Sequence, residues 1–161
     1  IRSNQPVLVI DDAPLLSPDP LVRPAVLRDL EILLPACVSM FTEEVGVSPV
    51  VGSSELIYRN RISEVIQHRK MFARIDQAQV TFKAEIGVAT DQVCQIQGVW
   101  VPPQLRGRDY GKPGMAAVVD LTRKYFSPMV SLYVNDYNER ARAVYKSVGF
   151  QEHSTFATVL F

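Results

Sequence analysis

Between Ile66 and Met71 the apolar residues of this chain change their period, and the change rules out most folds at once. Before it, Tyr58, Ile62, Val65 and Ile66 recur at i, i+4, i+7 and i+8 while Arg59, Arg61 and Glu64 fall elsewhere, which is one face of a helix. After it, Met71 to Ile75, Gln79 to Val88 and Val93 to Val101 alternate as three strands, the last two joined by a short turn around Ala89 to Gln92. Helical spacing returns from Gly111 to Phe126 through Met115, Val118, Val119, Thr122 and Phe126. Val130 to Val134 is a buried strand, a further helix runs from Asn138 to Val148, and Thr155 to Phe161 closes the pattern as a strand. Upstream, Leu21 to Val26 reads as a first strand that Pro24 confines to an edge or a bulge. Asp29 then opens a helical stretch with Leu30, Leu33, Leu34, Cys37 and Phe41 on one face, which Pro35 should kink or divide. Val47 to Ser54, with Pro49 and Gly52, is a loop. Strand, helix, helix, three strands, helix, strand, helix, strand is the order of a mixed α/β domain.

Size and charge exclude several classes of function. A chain of 161 residues, 47% apolar and 21% charged, has room for one cored domain and not for two large ones. Seventeen basic residues offset seventeen acidic ones without a Lys/Arg block, so the broad footprint of a nucleic-acid binder is missing. The longest uncharged apolar run, Ile32 to Thr42, is interrupted by Pro35 and is far shorter than the roughly 20 residues a membrane-spanning helix needs. Neither a membrane segment nor a signal peptide is expected. Cys37 and Cys94 lie in apolar segments without CxxC or Cys/His spacing, so they read as buried free thiols, with no metal site, and point to a reducing cytoplasm. Residues 1–19 carry Pro6, Pro14 and Pro18 around the short apolar run Val7 to Ile10, a composition expected of a linker or of the last strand of an upstream domain. With Ile1 in first place, the chain reads as part of a longer polypeptide whose cored domain is 20–161.

Two segments near the C-terminal end carry chemistry: PPQLRGRDYGKPG at 102–114 and LYVNDYNERARAVYKSVGF at 132–150. The first falls between a strand and a helix. Amides at such a helix start lack intrahelical partners and sit at the positive end of the helix dipole, so the place suits an anionic phosphate. Gly107 and Gly111 let a ligand approach the backbone, and Arg106, Arg108 and Lys112 add countercharge. Turns of this composition also occur in α/β domains that bind nothing there. A nucleotide-triphosphatase loop is worse supported, because Gly107 and Gly111 are too close and Pro113 stands where Ser or Thr would ligate magnesium. In the second segment Asn138 is a good N-cap, Ala141, Val144, Tyr145 and Val148 form one face, and Gly149 ends the helix.

Taken together, the two segments resemble the acyl-coenzyme A site of the GNAT superfamily of N-acyltransferases. The family's Gln/Arg-x-x-Gly-x-Gly/Ala pattern is met by Gln104, Leu105, Arg106, Gly107, Arg108 and Asp109, with Asp in the last small position, and its helix motif by Asn138, Ala141, Tyr145, Gly149 and Phe150. The resemblance covers 20–161. It implies the GNAT fold, a mixed and mostly antiparallel twisted sheet of about six to seven strands flanked by about four helices. It implies acetyl-CoA as cosubstrate, no metal, and Tyr145 as the general acid that protonates the leaving sulfur. Arg106, Gly107, Arg108, Asp109, Tyr110, Gly111 and Lys112 would then cradle the pyrophosphate, with Asn138 also in the coenzyme-binding set. Val99, Trp100 and Val101 would offer backbone groups to the pantetheine arm and to the developing oxyanion.

The base is less clearly encoded. Many relatives carry a Glu on the strand before the turn, where this chain has Gln95 and Gln97. Glu85 on the neighbouring strand, and Glu43 or Glu44 near the end of the first helical region, are candidate bases, although an isolated Glu ordinarily faces water. The α-carboxylate of Phe161 is a further candidate if the chain ends there naturally. Tyr58, Arg59 and Arg61 fall in the region that shapes acceptor pockets in the superfamily, and their charge would favour an acidic acceptor. A competing reading keeps the fold as a non-catalytic coenzyme A sensor or docking module, and a third adds a second GNAT-like domain upstream. The amine acceptor is not encoded legibly, nor is the oligomeric state, homodimer included.

Overall fold

The computed structural model describes residues 2–159. Its elements are β1 (Arg2–Ile10), β2 (Arg23–Pro24), α1 (Leu30–Val45), α2 (Ser54–Gln67), β3 (Met71–Asp76), β4 (Gln79–Ala89), β5 (Val93–Trp100), α3 (Gly111–Tyr125), β6 (Met129–Tyr133), α4 (Glu139–Val148) and β7 (Gln151–Thr158). Short 3-10 turns precede α1 at Leu27–Asp29 and follow β5 at Pro103–Leu105. The strands hydrogen-bond in the order β2-β3-β4-β5-β6-β1-β7, a mixed and mostly antiparallel sheet in which β5 and β6 run parallel. The chain divides into two compact units: Leu21–Glu85 with Gly98–Tyr110, here the α1–α2 unit, and the segments up to Pro20, Ile86–Gln97 and from Gly111 onward, here the α3–α4 unit.

In the α1–α2 unit, Leu30, Leu33, Ala36 and Cys37 of α1 pack with Tyr58, Ile62 and Ile66 of α2 and with Met71, Ala73 and Val80 of β3 and β4. The start of α1 is organised by Asp29. Its carboxylate accepts the Val26 N–H at 2.8 Å and takes both guanidinium nitrogens of Arg23, at 2.8 and 3.1 Å. Pro35 does not divide α1, which runs unbroken for 16 residues. The missing N–H removes only the bond to the Glu31 carbonyl, and both residues are exposed, so solvent can take that carbonyl. Gly46, at φ 89°, closes the helix and donates to the Thr42 carbonyl at 2.8 Å. The expected first strand shrinks to Arg23–Pro24, paired with β3 alone and thus at the sheet edge, as Pro24 requires.

Along β4, Phe82 and Ala84 take one face and Lys83 and Glu85 the other, and a bulge at the start of the strand brings Val80 opposite Ile75. Both faces are buried: Lys83 is 0% exposed and Glu85 7%. The expectation that an isolated Glu85 faces water is therefore corrected, because the polar side of this strand lies beneath helices.

In the α3–α4 unit, β1 lies between β6 and β7 and is antiparallel to both, with Val7 opposite Tyr133 and Val9 opposite Gln151. Residues after it are held too: the Leu15 N–H donates to the Val148 carbonyl at 2.8 Å and the Asp19 N–H to the Pro113 carbonyl at 2.9 Å. The Pro-rich opening thus contributes a strand and a strap to this unit. Helix α4 is capped as its sequence predicts, with the Asn138 side-chain oxygen accepting the Ala141 N–H at 3.2 Å, and Gly149 stands at φ 120° after its last turn. The closing strand begins at Gln151, four positions before the expected Thr155; Leu160 and Phe161 lie outside the described residues.

Candidate active site

The turn between β5 and α3 is built from conformations that few residues accept. Pro102, extended at φ −52° and ψ 141°, starts the 3-10 turn, and Gly107 at φ 79° and Asp109 at φ 65° are then both left-handed. A Cβ on Gly107 would meet nothing within 4 Å, so conformation, not space, selects glycine there. Asp109 occupies the family's small-residue position with the same backbone geometry. Asp is among the few L-residues that visit this region, because its short side chain bonds locally. Helix α3 follows, and by geometry the first-turn amides of Gly111, Lys112 and Gly114 lack helical partners, while Pro113 has no N–H. Gly107, Arg108, Asp109 and Lys112 are exposed. Tyr110 is half-buried, with the Arg74 guanidinium 5.2 Å from its ring centre.

Arg106 is not an idle cation. Its Nε donates to the Val101 carbonyl at 3.0 Å, and its two terminal nitrogens grip the Glu43 carboxylate at 2.8 and 2.9 Å. Trp100 adds an indole N–H to the same carboxylate at 3.2 Å. The Arg106 hydrogen bonds, helped by that of Trp100, hold the Glu43 carboxyl below the usual range. Such a carboxylate is a weak base, and the geometry gives Glu43 the role of partner to Arg106. Glu44 is exposed, and Val99, Trp100 and Val101 are half-buried.

Glu85 is set differently. It lies opposite Met71 on β4, and its Oε1 would stand 2.8 Å from a Cβ on Gly98, where the Lys83 Nζ would stand at 3.3 Å. Both charged groups therefore reach over one glycine. Lys83 escaped the sequence reading, since Lys and Glu at alternate strand positions look like a solvated face. The cue was Gly98 inside the next strand, a mark of close approach. Burial pushes the neighbouring Cys37 thiol up, with Lys83 opposing and Glu85 reinforcing, and burial likewise pushes the Tyr58 hydroxyl well above the ordinary range. Arg59 pairs with Glu31, which compensates the charge expected to favour an acidic acceptor, and Arg61 is exposed. The Phe161 carboxylate falls outside the described residues.

In the α3–α4 unit Tyr145 is 8% exposed and meets Phe150 edge to face, ring centres 5.9 Å apart at 63°. Asn138, expected to touch coenzyme, has its side-chain oxygen committed to the cap. Cys37 and Cys94 are free and buried, as expected. Among the described residues no cluster of three His, Cys, Asp or Glu could hold a metal, and no helix is long and apolar enough to cross a membrane.

The sequence model of the Acetyltransferase (GNAT) family matches residues 67–150, just over half of the chain. The chain belongs to the GNAT acetyltransferase family, whose cosubstrate is acetyl-CoA. No curated protein matches it in sequence. Among solved structures it is similar to an acetyltransferase of the GNAT family from Colwellia psychrerythraea, with TM-score 0.70, 14% identity and coverage of 93% of this chain and 53% of that one. It therefore spans about half the length of that relative. A probable acetyltransferase is matched at TM-score 0.70 and 16% identity over 87% of this chain and 95% of that chain. A predicted acetyltransferase from Clostridium acetobutylicum, crystallised with acetyl-CoA, is matched at TM-score 0.60 and 15% identity over 86% and 94%. At these identities the likeness speaks for the fold.

Proposed function

We propose that this protein transfers the acetyl group of acetyl-CoA to a primary amine by direct attack. The observation that carries the reading is the turn after β5: two left-handed residues, an open approach at Gly107, and a helix start immediately after, in a chain of this family. The turn suits a pyrophosphate for the reasons its backbone gives, with Arg108 and Lys112 exposed beside it. The acceptor nitrogen adds to the thioester carbon, negative charge develops on the carbonyl oxygen, and the C–S bond breaks as the sulfur takes the Tyr145 proton. Val99 would donate its N–H to that oxygen. Glu85 is the base we favour, since it is a buried carboxylate beside the strand that carries Val99, while Glu43 is committed to Arg106. The proposed acyltransferase domain is 20–161, with β1 completing its sheet. The length of the Colwellia relative supports adding a second domain of the same polypeptide to the proposal.

One observation favours a second reading. With Arg106 held by Glu43 and a carboxylate at position 109, the turn carries less free positive charge than its sequence advertises, as a coenzyme sensor with modest affinity would. Calorimetric titration with acetyl-CoA, followed by a thiol-release assay over a panel of amines, tests both. Micromolar binding with amine-dependent thiol release supports the transferase. Binding of coenzyme without release for any amine supports the sensor.

A further inference from the structure

We infer that Lys83 is a positioning residue for this reaction, one that aims and polarises the peptide joining Gly98 to Val99. The inference rests on the acetyltransferase reading above. A fully buried ammonium is costly unless it is bonded, and Lys83, at 0% exposure, bonds to two groups: the Gly98 carbonyl oxygen at 2.8 Å and the Met40 sulfur at 3.4 Å. The carbonyl is the strong acceptor of the two.

Gly98 stands at φ 61° inside β5, and the alternation of buried and half-buried residues along that strand stops just before it. A left-handed residue within a strand marks a bulge, a place where one peptide is turned out of the ladder. Here the turned carbonyl points at Lys83. A side chain at 98 would meet the Glu85 carboxylate and the Lys83 ammonium, so glycine is demanded by close approach as well as by φ.

Among the described residues no peptide bond is cis, and in a planar trans peptide the N–H points opposite to the C=O. A carbonyl aimed at Lys83 therefore aims the Val99 N–H the other way. An ammonium on the carbonyl oxygen also draws electron density from the amide and makes its N–H a stronger donor, and the low local dielectric strengthens the effect. This is a fixed dipole set before the reaction begins, the arrangement that best stabilises a developing oxyanion. Lys83 takes no proton and touches no substrate. Its work is done through one peptide group.

The test uses acetyl-CoA labelled with carbon-13 at the thioester carbonyl, bound to wild type, Lys83→Met and Lys83→Gln. Met fills the same volume without charge or donor; Gln keeps a donor without charge. The expected result is a downfield shift of the bound carbonyl in wild type that shrinks by at least half in Lys83→Met. With it kcat should fall by about tenfold to a hundredfold, coenzyme affinity should stay within about twofold, and Lys83→Gln should recover part of both losses. A role confined to packing predicts that Met leaves kcat and the carbonyl shift alone, and that outcome in a folded variant overturns the inference. Should Lys83→Met fail to fold, wild-type kcat and shift in Lys83→Gln overturn the role of the charge. Absence of acetyl-CoA binding to the wild-type protein would instead sink the acetyltransferase reading itself, before any variant is made.

Discussion

The two segments that carry the family motifs use their residues in opposite ways. In 138–150 each motif residue holds something in place: Asn138 caps α4, Tyr145 packs on Phe150, and Gly149 makes the left-handed exit. In 106–112 Gly107, Arg108, Asp109 and Lys112 are exposed, and Arg106 is tied to Glu43, 63 positions away. A motif can thus be kept because the helix needs it or because a ligand needs it. The helix segment mixes the two demands; the turn separates them.

The largest effect should come from removing the Tyr145 hydroxyl. Tyr145→Phe keeps the ring and its contact with Phe150 while deleting the proposed acid, so kcat should fall by about a hundred- to ten-thousand-fold. Coenzyme affinity by titration should be unaltered. Retention of wild-type turnover would break the assignment and leave Tyr145 a packing residue like its neighbours. Asn138→Ala makes the complementary cut: loss of the cap should cost about 1 kcal/mol of stability in a denaturant melt, with coenzyme affinity unchanged. A drop in affinity larger than the stability loss would support the expected place of Asn138 in the coenzyme-binding set.

How much of this could be read from residues alone follows from how far each determinant reaches. The cap, the exit and the buried face of α4 are decided within a dozen residues, so Asn138, Tyr145 and Gly149 announced themselves. Gly107 was legible for the same reason, while Asp in the last small position hid the left-handed backbone at 109. The burial of Lys83 and Glu85 was not legible, although Glu85 stood among the candidate bases. Their alternation with Phe82 and Ala84 is that of any half-solvated strand, and only the helices laid over them, with Met40 against Lys83, make them buried. Likewise nothing near Glu43 foretells Arg106. The place of β1 between β6 and β7 is a matter of strand order, which local pattern does not encode. Pro35 misled in the other direction, because the helix loses only one exposed bond there.

The Arg106–Glu43 pair offers a sharper cut on the turn. If phosphate must take the guanidinium over from the carboxylate, Glu43→Gln should tighten coenzyme binding by about threefold, a shift of under 1 kcal/mol as befits a half-exposed pair. Lower affinity would mean that Glu43 orients Arg106 for the ligand. The same pair has a signature in pH. Because Arg106 depresses the Glu43 pKa, its contribution to stability is fully present above the unfolded value of about 4.3 and is lost as pH falls through the folded value. The stability difference between wild type and Glu43→Gln should therefore be flat near neutrality and vanish in acid.

Asp109→Gly is the smallest and most discriminating change. Glycine relieves a left-handed L-residue, worth about 1 kcal/mol or less for Asp. It also loosens the unfolded chain by about the same amount, so the melting temperature should hardly move. What remains is electrostatic: an exposed carboxylate leaves the rim of the proposed phosphate site, and screening limits the gain to about two- or threefold in coenzyme affinity. That result would show that the turn needs only the backbone of residue 109. Equal or weaker binding would mean that the Asp side chain belongs to the site, and the contrast drawn between a packed helix motif and an unpacked turn would then hold for Gly107 but not for its neighbour.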